Sequence, residues 1–174
     1  ATKRAKSSVI DGITVQWEWE GDKGAWTGYN ANHSSVITDS YNNEDKDLTF
    51  DVAPGTQMKI LFEKSVQKNR KTGWERRLRC CVQEDESKDF YSWQWQDEHS
   101  KWNPYNAQTS ISLEKARQGG EKNLSFEAFS RAYTVNIAKL EQVNDDTGVV
   151  KKCRESSQPW FRQKHQKKQS PKKS

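Results

Sequence analysis

A 174-residue chain with 30% charged residues and a mean hydropathy of −1.15 has no apolar run near the roughly 18 residues that a membrane-spanning helix needs. Its start, Ala1-Thr2-Lys3-Arg4, lacks the apolar centre of a signal peptide. The net charge of +5 is carried by the ends: Lys3, Arg4 and Lys6 at one, and Arg162, Lys164, Lys167, Lys168, Lys172 and Lys173 at the other. Without those nine charges the remainder stands at −4, opposite in sign to a binder of phosphate backbones, so RNA is not the expected partner.

Residues 1–12 are polar and without periodicity and are expected to form a disordered basic tail. Order is expected from Ile13, where β-branched residues lead into Trp17 and Trp19, two apart and therefore on one face of a strand, with Gln16, Glu18 and Glu20 on the other. The composition of Gly21-Asp22-Lys23-Gly24 is that of a turn, and Ala25 to Tyr29 reads as the returning strand, its Trp26 and Tyr29 joining the same core. Asn30 or Asn32 caps a helix over about 33–42 with Val36, Ile37 and Tyr41 on its apolar side. Alternation then marks strands at Leu48 and Phe50 and at Met58, Ile60 and Phe62, and Thr72-Gly73 marks a final hairpin turn. In the last strand, Trp74, Arg76, Leu78 and Cys80 share one face, and Glu75, Arg77, Arg79 and Cys81 the other. Residues 82–88 form an acidic connector too short to be a long tether, so the segments on its two sides sit close together.

Beyond the connector the same pattern returns. Trp93, Trp95, Trp102 and Tyr105 repeat Trp17, Trp19, Trp26 and Tyr29 at an offset of 76, which holds through Leu124 and Phe126. The offset falls to 75 at Tyr133 against Met58 and stays there through Gln142 against Gln67 and Gly148 against Gly73. A duplication is the reading. Asn106 or Thr109 caps the second helix, which holds Ile111, Leu113 and Ala116, and Gly119-Gly120 supplies its left-handed stop. Each copy reads β-β-α and then about four short strands, an α+β fold in which a curved antiparallel sheet wraps one helix. The copies span 13–81 and 89–155, and 156–174 is a basic low-complexity tail with Trp160-Phe161 as its apolar island.

Cys80, Cys81 and Cys153 are too few and wrongly spaced for a disulfide framework or a zinc site, and His33, His99 and His165 stand far from them in sequence. Metal binding and Cys/His catalysis are not expected. A reducing intracellular setting, nucleus or cytoplasm, fits this cysteine usage. The carboxylates Asp145-Asp146 and Glu84-Asp85-Glu86 have no partner base or nucleophile, so the chain does not read as an enzyme. Arg76 in one copy and Lys151 in the other fall on the concave face of a basic final strand, each aimed at an aromatic concavity. That combination points to an anion carrying a flat ring. The competing reading is a solvated strand end whose cation stem lies over the core.

The order Trp-x-Trp, Gly-rich turn, Trp-x-x-Tyr, helix, strand, Gln, Thr-Gly and basic strand resembles the WWE domain. The tandem arrangement is similar to the paired WWE modules of Deltex-type ubiquitin ligases and of some ADP-ribosyltransferases. The resemblance implies two tandem half-barrels of about six antiparallel strands, each packed around one helix. It implies a binding module that needs no cofactor and recognises ADP-ribose, the iso-ADP-ribose unit of poly(ADP-ribose), or a related nucleotide. Carried over residue by residue, it places the ligand against Trp95, Tyr133, Gln142 and Lys151 in the second copy, and against Trp19, Gln67 and Arg76 in the first. The first copy has Met58 where the second has Tyr133, and Lys151 stands where family members often carry arginine. The second copy is therefore ranked first as the ligand site. The alternative it leaves open is a protein-interaction platform with vestigial pockets and a Notch-receptor type of partner.

Overall fold

The first strand, β1 (Val9–Ile10), falls within the stretch expected to be a disordered tail. Asp11 and Gly12, with φ of 49° and 79°, form a two-residue turn of the kind that Asp-Gly favours. The turn brings Ile10, only 4% exposed, opposite Ile13 at the start of β2 (Ile13–Glu20). An Asp-Gly pair between two β-branched runs was the signal for this hairpin. The computed structural model describes residues 8–157; the rest of the basic ends, with Trp160-Phe161, lies outside the described residues.

A 3-10 turn (Asp22–Gly24) leads to β3 (Trp26–Gly28), then α1 (Ala31–Asn42), β4 (Asp47–Ala53), β5 (Thr56–Leu61), β6 (Val66–Asn69) and β7 (Glu75–Gln83). The second copy repeats the order with β8 (Tyr91–Gln96), β9 (Trp102–Pro104), α2 (Ala107–Gln118), β10 (Asn123–Ala128), β11 (Arg131–Asn136), β12 (Glu141–Asn144) and β13 (Val150–Ser157). With β1 added ahead of the first, each copy has six strands and one helix, all strands paired antiparallel, which are the expected α+β half-barrels.

Asn30 and Asn106 cap the helices, each side chain accepting the N–H of the third residue on at 2.8 Å. Beyond α2, Gly120 takes φ +73°, and the N–H groups of Gly120 and Glu121 return to the carbonyls of Arg117 and Ala116. This is the glycine stop expected from the sequence. On α1, Ile37 is fully buried, but Val36 is 42% exposed instead of joining the apolar side. Ser34 and Thr38 take the inward positions because they bond the core indole directly: Ser34 Oγ accepts Trp17 N–H at 3.3 Å, and Thr38 Oγ1 accepts Trp17 Nε1–H at 2.9 Å.

The two copies share one sheet. Along one edge β7 pairs with β2; along the other it pairs first with β6 and then, at Val82 opposite Tyr91, with β8. The stretch 82–88 thus begins inside a strand. Directly opposed residues point their side chains to the same face, so Val82 and Tyr91 place both concave faces on one side. The end of β7 does for the second copy what β1 does for the first.

The convex face, which carries Glu18 and Glu20, is covered as well. Glu18 is completely buried and pairs with Arg79 at 2.7 Å, the arginine side chain being only 4% exposed. Trp26 lies opposite Glu20, and therefore on this face, which corrects its assignment to the core beside Trp17. Its indole covers Arg79 at 4.2 Å and Arg77 at 5.5 Å. Trp102 does the same for Arg154 at 4.1 Å. Both rings are half-buried, because in so small a domain a guanidinium plane serves as a second layer over the sheet. Trp17 and Trp93 are buried as expected, at 1% and 0% exposure.

Candidate functional site

Antiparallel register sets up the concave face. In the second copy Gln142 lies opposite Lys151, and Tyr133 lies opposite Asn144 and Phe126. In the first, Gln67 lies opposite Arg76, and Met58 opposite Asn69 and Phe50. The same five positions therefore recur, with methionine for tyrosine as the one change of chemistry on the aromatic wall.

Each glutamine is held by a tyrosine whose role the sequence did not disclose. Tyr105 Oη donates to Gln142 Oε1 at 2.6 Å, and Tyr29 Oη donates to Gln67 Oε1 at 2.5 Å. Burial pushes both phenols well above the ordinary tyrosine value, so each remains a protonated donor. With the amide oxygen taken, Gln142 has its N–H₂ to offer to a ligand. The sign was there in the Trp-x-x-Tyr spacing, which puts the tyrosine just ahead of the helix cap, but burial alone accounted for it. Tyr105→Phe should lower stability by about 1–3 kcal/mol, the cost of an orphaned buried acceptor. A denaturant titration reads this, and a loss equal to that of an exposed Tyr→Phe control would contradict it.

The cavity these residues bound has a volume of about 1210 Å³. Trp95, Tyr133, Gln142 and Lys151 all line it, so all four residues expected in the second copy converge. Phe126 joins them, stacked on Tyr133 with ring centroids 5.6 Å apart. In the first copy Trp19 and Arg76 are half-buried on the same face as buried Gln67, but Arg76 lies 5.5 Å from the ring of Trp74. Lys151, by contrast, has its Nζ 5.4 Å from the ring of Trp95.

Both cations are engaged by a carboxylate from the turn that follows the double-tryptophan strand. Arg76 meets Asp22 at 2.7 Å and Lys151 meets Glu98 at 3.2 Å, and these carboxylates occupy the same position in the two copies. A backbone N–H and then Lys151 hold the Glu98 carboxyl below the ordinary glutamate value. Asp22 is 83% exposed and Glu98 71%, so these pairs are weak and exchangeable for another anion.

Among the described residues no cluster of His, Cys, Asp or Glu could hold a metal ion, and no helix is long and apolar enough to cross a membrane. A family model described as the WWE domain matches residues 15–80 and 91–155. The chain belongs to the WWE family. Its two matched segments are the two half-barrels, and WWE domains are binding modules found in ubiquitin ligases and ADP-ribosyltransferases. The WWE pair is also similar, at 36% identity over 58 residues, to E3 ubiquitin-protein ligase HUWE1 of Mus musculus and of Rattus norvegicus. That stretch is 33% of this chain and 1% of either ligase, so the chain spans a very small part of these relatives.

Proposed function

We propose that this WWE pair is a non-catalytic reader of ADP-ribose-containing ligands, the iso-ADP-ribose unit of poly(ADP-ribose) or a terminal ADP-ribose or ATP-like nucleotide, with the second copy as the principal site. The observation that carries the reading is the convergence of Trp95, Tyr133, Gln142 and Lys151 on one cavity. A mostly aromatic concavity with a few placed polar groups is how small-ligand sites obtain orientation. The adenine enters between the aromatic walls, the N–H₂ of Gln142 donates to its edge, and Lys151 exchanges Glu98 for phosphate. In this proposal the pair works inside a ubiquitin ligase or ADP-ribosyltransferase in the nucleus or cytoplasm; the three cysteines are free and buried, as in a reducing compartment.

Calorimetric titration of the tandem chain with iso-ADP-ribose, ADP-ribose and ATP tests this. Saturable binding is expected, weakened at least ~100-fold by Gln142→Ala combined with Lys151→Ala, since each group makes one directed contact, the lysine a charge-assisted one. Absence of binding by all three ligands would overturn the reading. The first copy supports a second role: Met58 replaces the tyrosine, and Trp74 is 67% exposed beside Arg76. An exposed indole with an adjoining arginine suits a protein partner.

A further inference from the structure

A two-residue hairpin turn with positive φ at both central positions suits Asn, Asp and Gly, whereas a Pro-Gly turn needs it only at the glycine. Copy one turns from β4 to β5 through Pro54-Gly55, with Gly55 at φ +76°. The corresponding turn from β10 to β11 is Phe129-Ser130, at φ 52° and 60°. Neither residue is suited to that backbone, and an aromatic there is strained. Burial does not compensate, because Phe129 is 91% exposed. Local preference and packing both argue against phenylalanine at this tip, and such a double violation marks a place selected for something other than folding.

Phe129 stands in the lining of the second-copy cavity, next along the chain to Ala128 and close to Arg131. The same cavity is bounded from the other copy by Glu63, Lys64 and Ser65, in the turn between β5 and β6. Among the described residues, neither Lys64 nor Arg131 takes part in an ion pair, whereas Lys151 is already paired with Glu98. Besides Trp95, Tyr133 and Gln142, the cavity lining therefore offers an exposed ring and two cations that enter no ion pair among the described residues. Among the described residues, Glu63 is the one carboxylate in that lining.

We infer that Phe129, Lys64 and Arg131 form a second subsite, built from both copies, which takes the adjoining unit of a nucleotide polymer: its base stacks on Phe129, and its phosphates lie toward Lys64 and Arg131. The subsite rests on the reading of the inner cavity as a nucleotide site and extends it from a single unit to a chain. It gives the tandem arrangement a direct purpose, since Lys64 reaches the second copy's ligand only because the two half-barrels share a sheet.

The test is to titrate the tandem chain with iso-ADP-ribose and with length-defined poly(ADP-ribose) of a few units, counting affinity per end. The oligomer is expected to bind about tenfold more tightly, within what stacking one base on an aromatic ring contributes. Phe129→Asn, which relieves the turn and so keeps the fold, is expected to abolish that gain while changing the affinity for the single unit less than about twofold; Lys64→Ala is expected to reduce the gain. Thermal melting of Phe129→Asn at or above the parent temperature confirms that it is folded. Equal binding of oligomer and single unit, or an oligomer gain that survives Phe129→Asn, overturns the subsite and leaves the inner site standing. A Phe129→Asn variant that weakens both ligands equally moves the ring into the inner site and also overturns it. Failure of both ligands to bind removes the inner site as well.

Discussion

Replacing Glu114 by alanine is expected to lower the stability of the chain by about 3–5 kcal/mol, the range for breaking a buried ionic contact from one side. Glu114 has a fully buried side chain on α2 and accepts from Trp93 Nε1 at 3.1 Å, Gln118 Nε2 at 3.0 Å, Arg117 Nη2 at 2.5 Å and the Tyr91 hydroxyl. Removing the carboxylate orphans the indole N–H and the phenol together and opens a cavity beneath the helix. Arg117 suffers less, because Glu155 and Glu84 lie within 3.5 and 3.9 Å of it.

The pH dependence has a definite sign. Burial pushes the Glu114 carboxyl up, but the hydrogen bonds from Arg117, Tyr91, Gln118 and Trp93 outweigh it and hold the group below the ordinary glutamate value. A depressed folded value means that the stabilisation is present above the ordinary glutamate value and is lost as pH falls through the folded one. Urea melts from neutral pH into that acid range should show the parent losing its advantage over Glu114→Gln. A constant difference between the two proteins across the range would show that folding leaves the carboxyl at its ordinary value, and a parent that gains on Glu114→Gln as pH falls would show that the fold holds the group protonated.

The same position in the first copy is Thr38, and the comparison shows how much of each domain was legible beforehand. Trp17 and Trp93 read as core from their spacing, and both are. What covers them did not read, because it differs between the copies. Copy one encloses its indole with Thr38, Tyr41 and Phe62, the rings 5.8 and 6.0 Å from Trp17. Copy two places Glu114 and Arg117 at the first two of those positions and Ile137 at the third. Alternation predicts which way a strand residue points, and it placed Trp95, Gln142 and Lys151 on one face correctly. It does not predict whether the opposite face is covered. The need of a small domain for buried aromatics points Trp26, and with it its repeat Trp102, to the core, whereas arginines from β7 and β13 give them a second layer on the convex side. The tyrosine that holds each glutamine was hidden for a related reason: burial explained it fully until the partner 37 or 38 residues along was in view.

The second large effect is expected on that convex face. Glu18→Ala should cost about 3–5 kcal/mol, because Arg79, 4% exposed beneath Trp26, loses the carboxylate 2.7 Å from its Nε. The protein carries its own control in the other copy, where Gln94 occupies the place of Glu18 and accepts Arg154 Nε–H at 2.8 Å. A neutral amide thus serves a guanidinium at this site, although burial and the nearby Arg79 lower the ordinary value of Arg154. Glu18→Gln is therefore expected to lose appreciably less than Glu18→Ala, since the amide oxygen still accepts from Arg79 and only the charge is removed. Glu18→Ala with Arg79→Met should recover most of the loss, because a thioether packs under the Trp26 indole without a charge to satisfy. Guanidinium melts of the three variants separate the contributions. Equal losses for Glu18→Ala and Glu18→Gln would mean that charge alone holds the pair. A double variant no better than Glu18→Ala would mean that the arginine is needed for its stacking on Trp26, and that the convex layer depends on the cation itself.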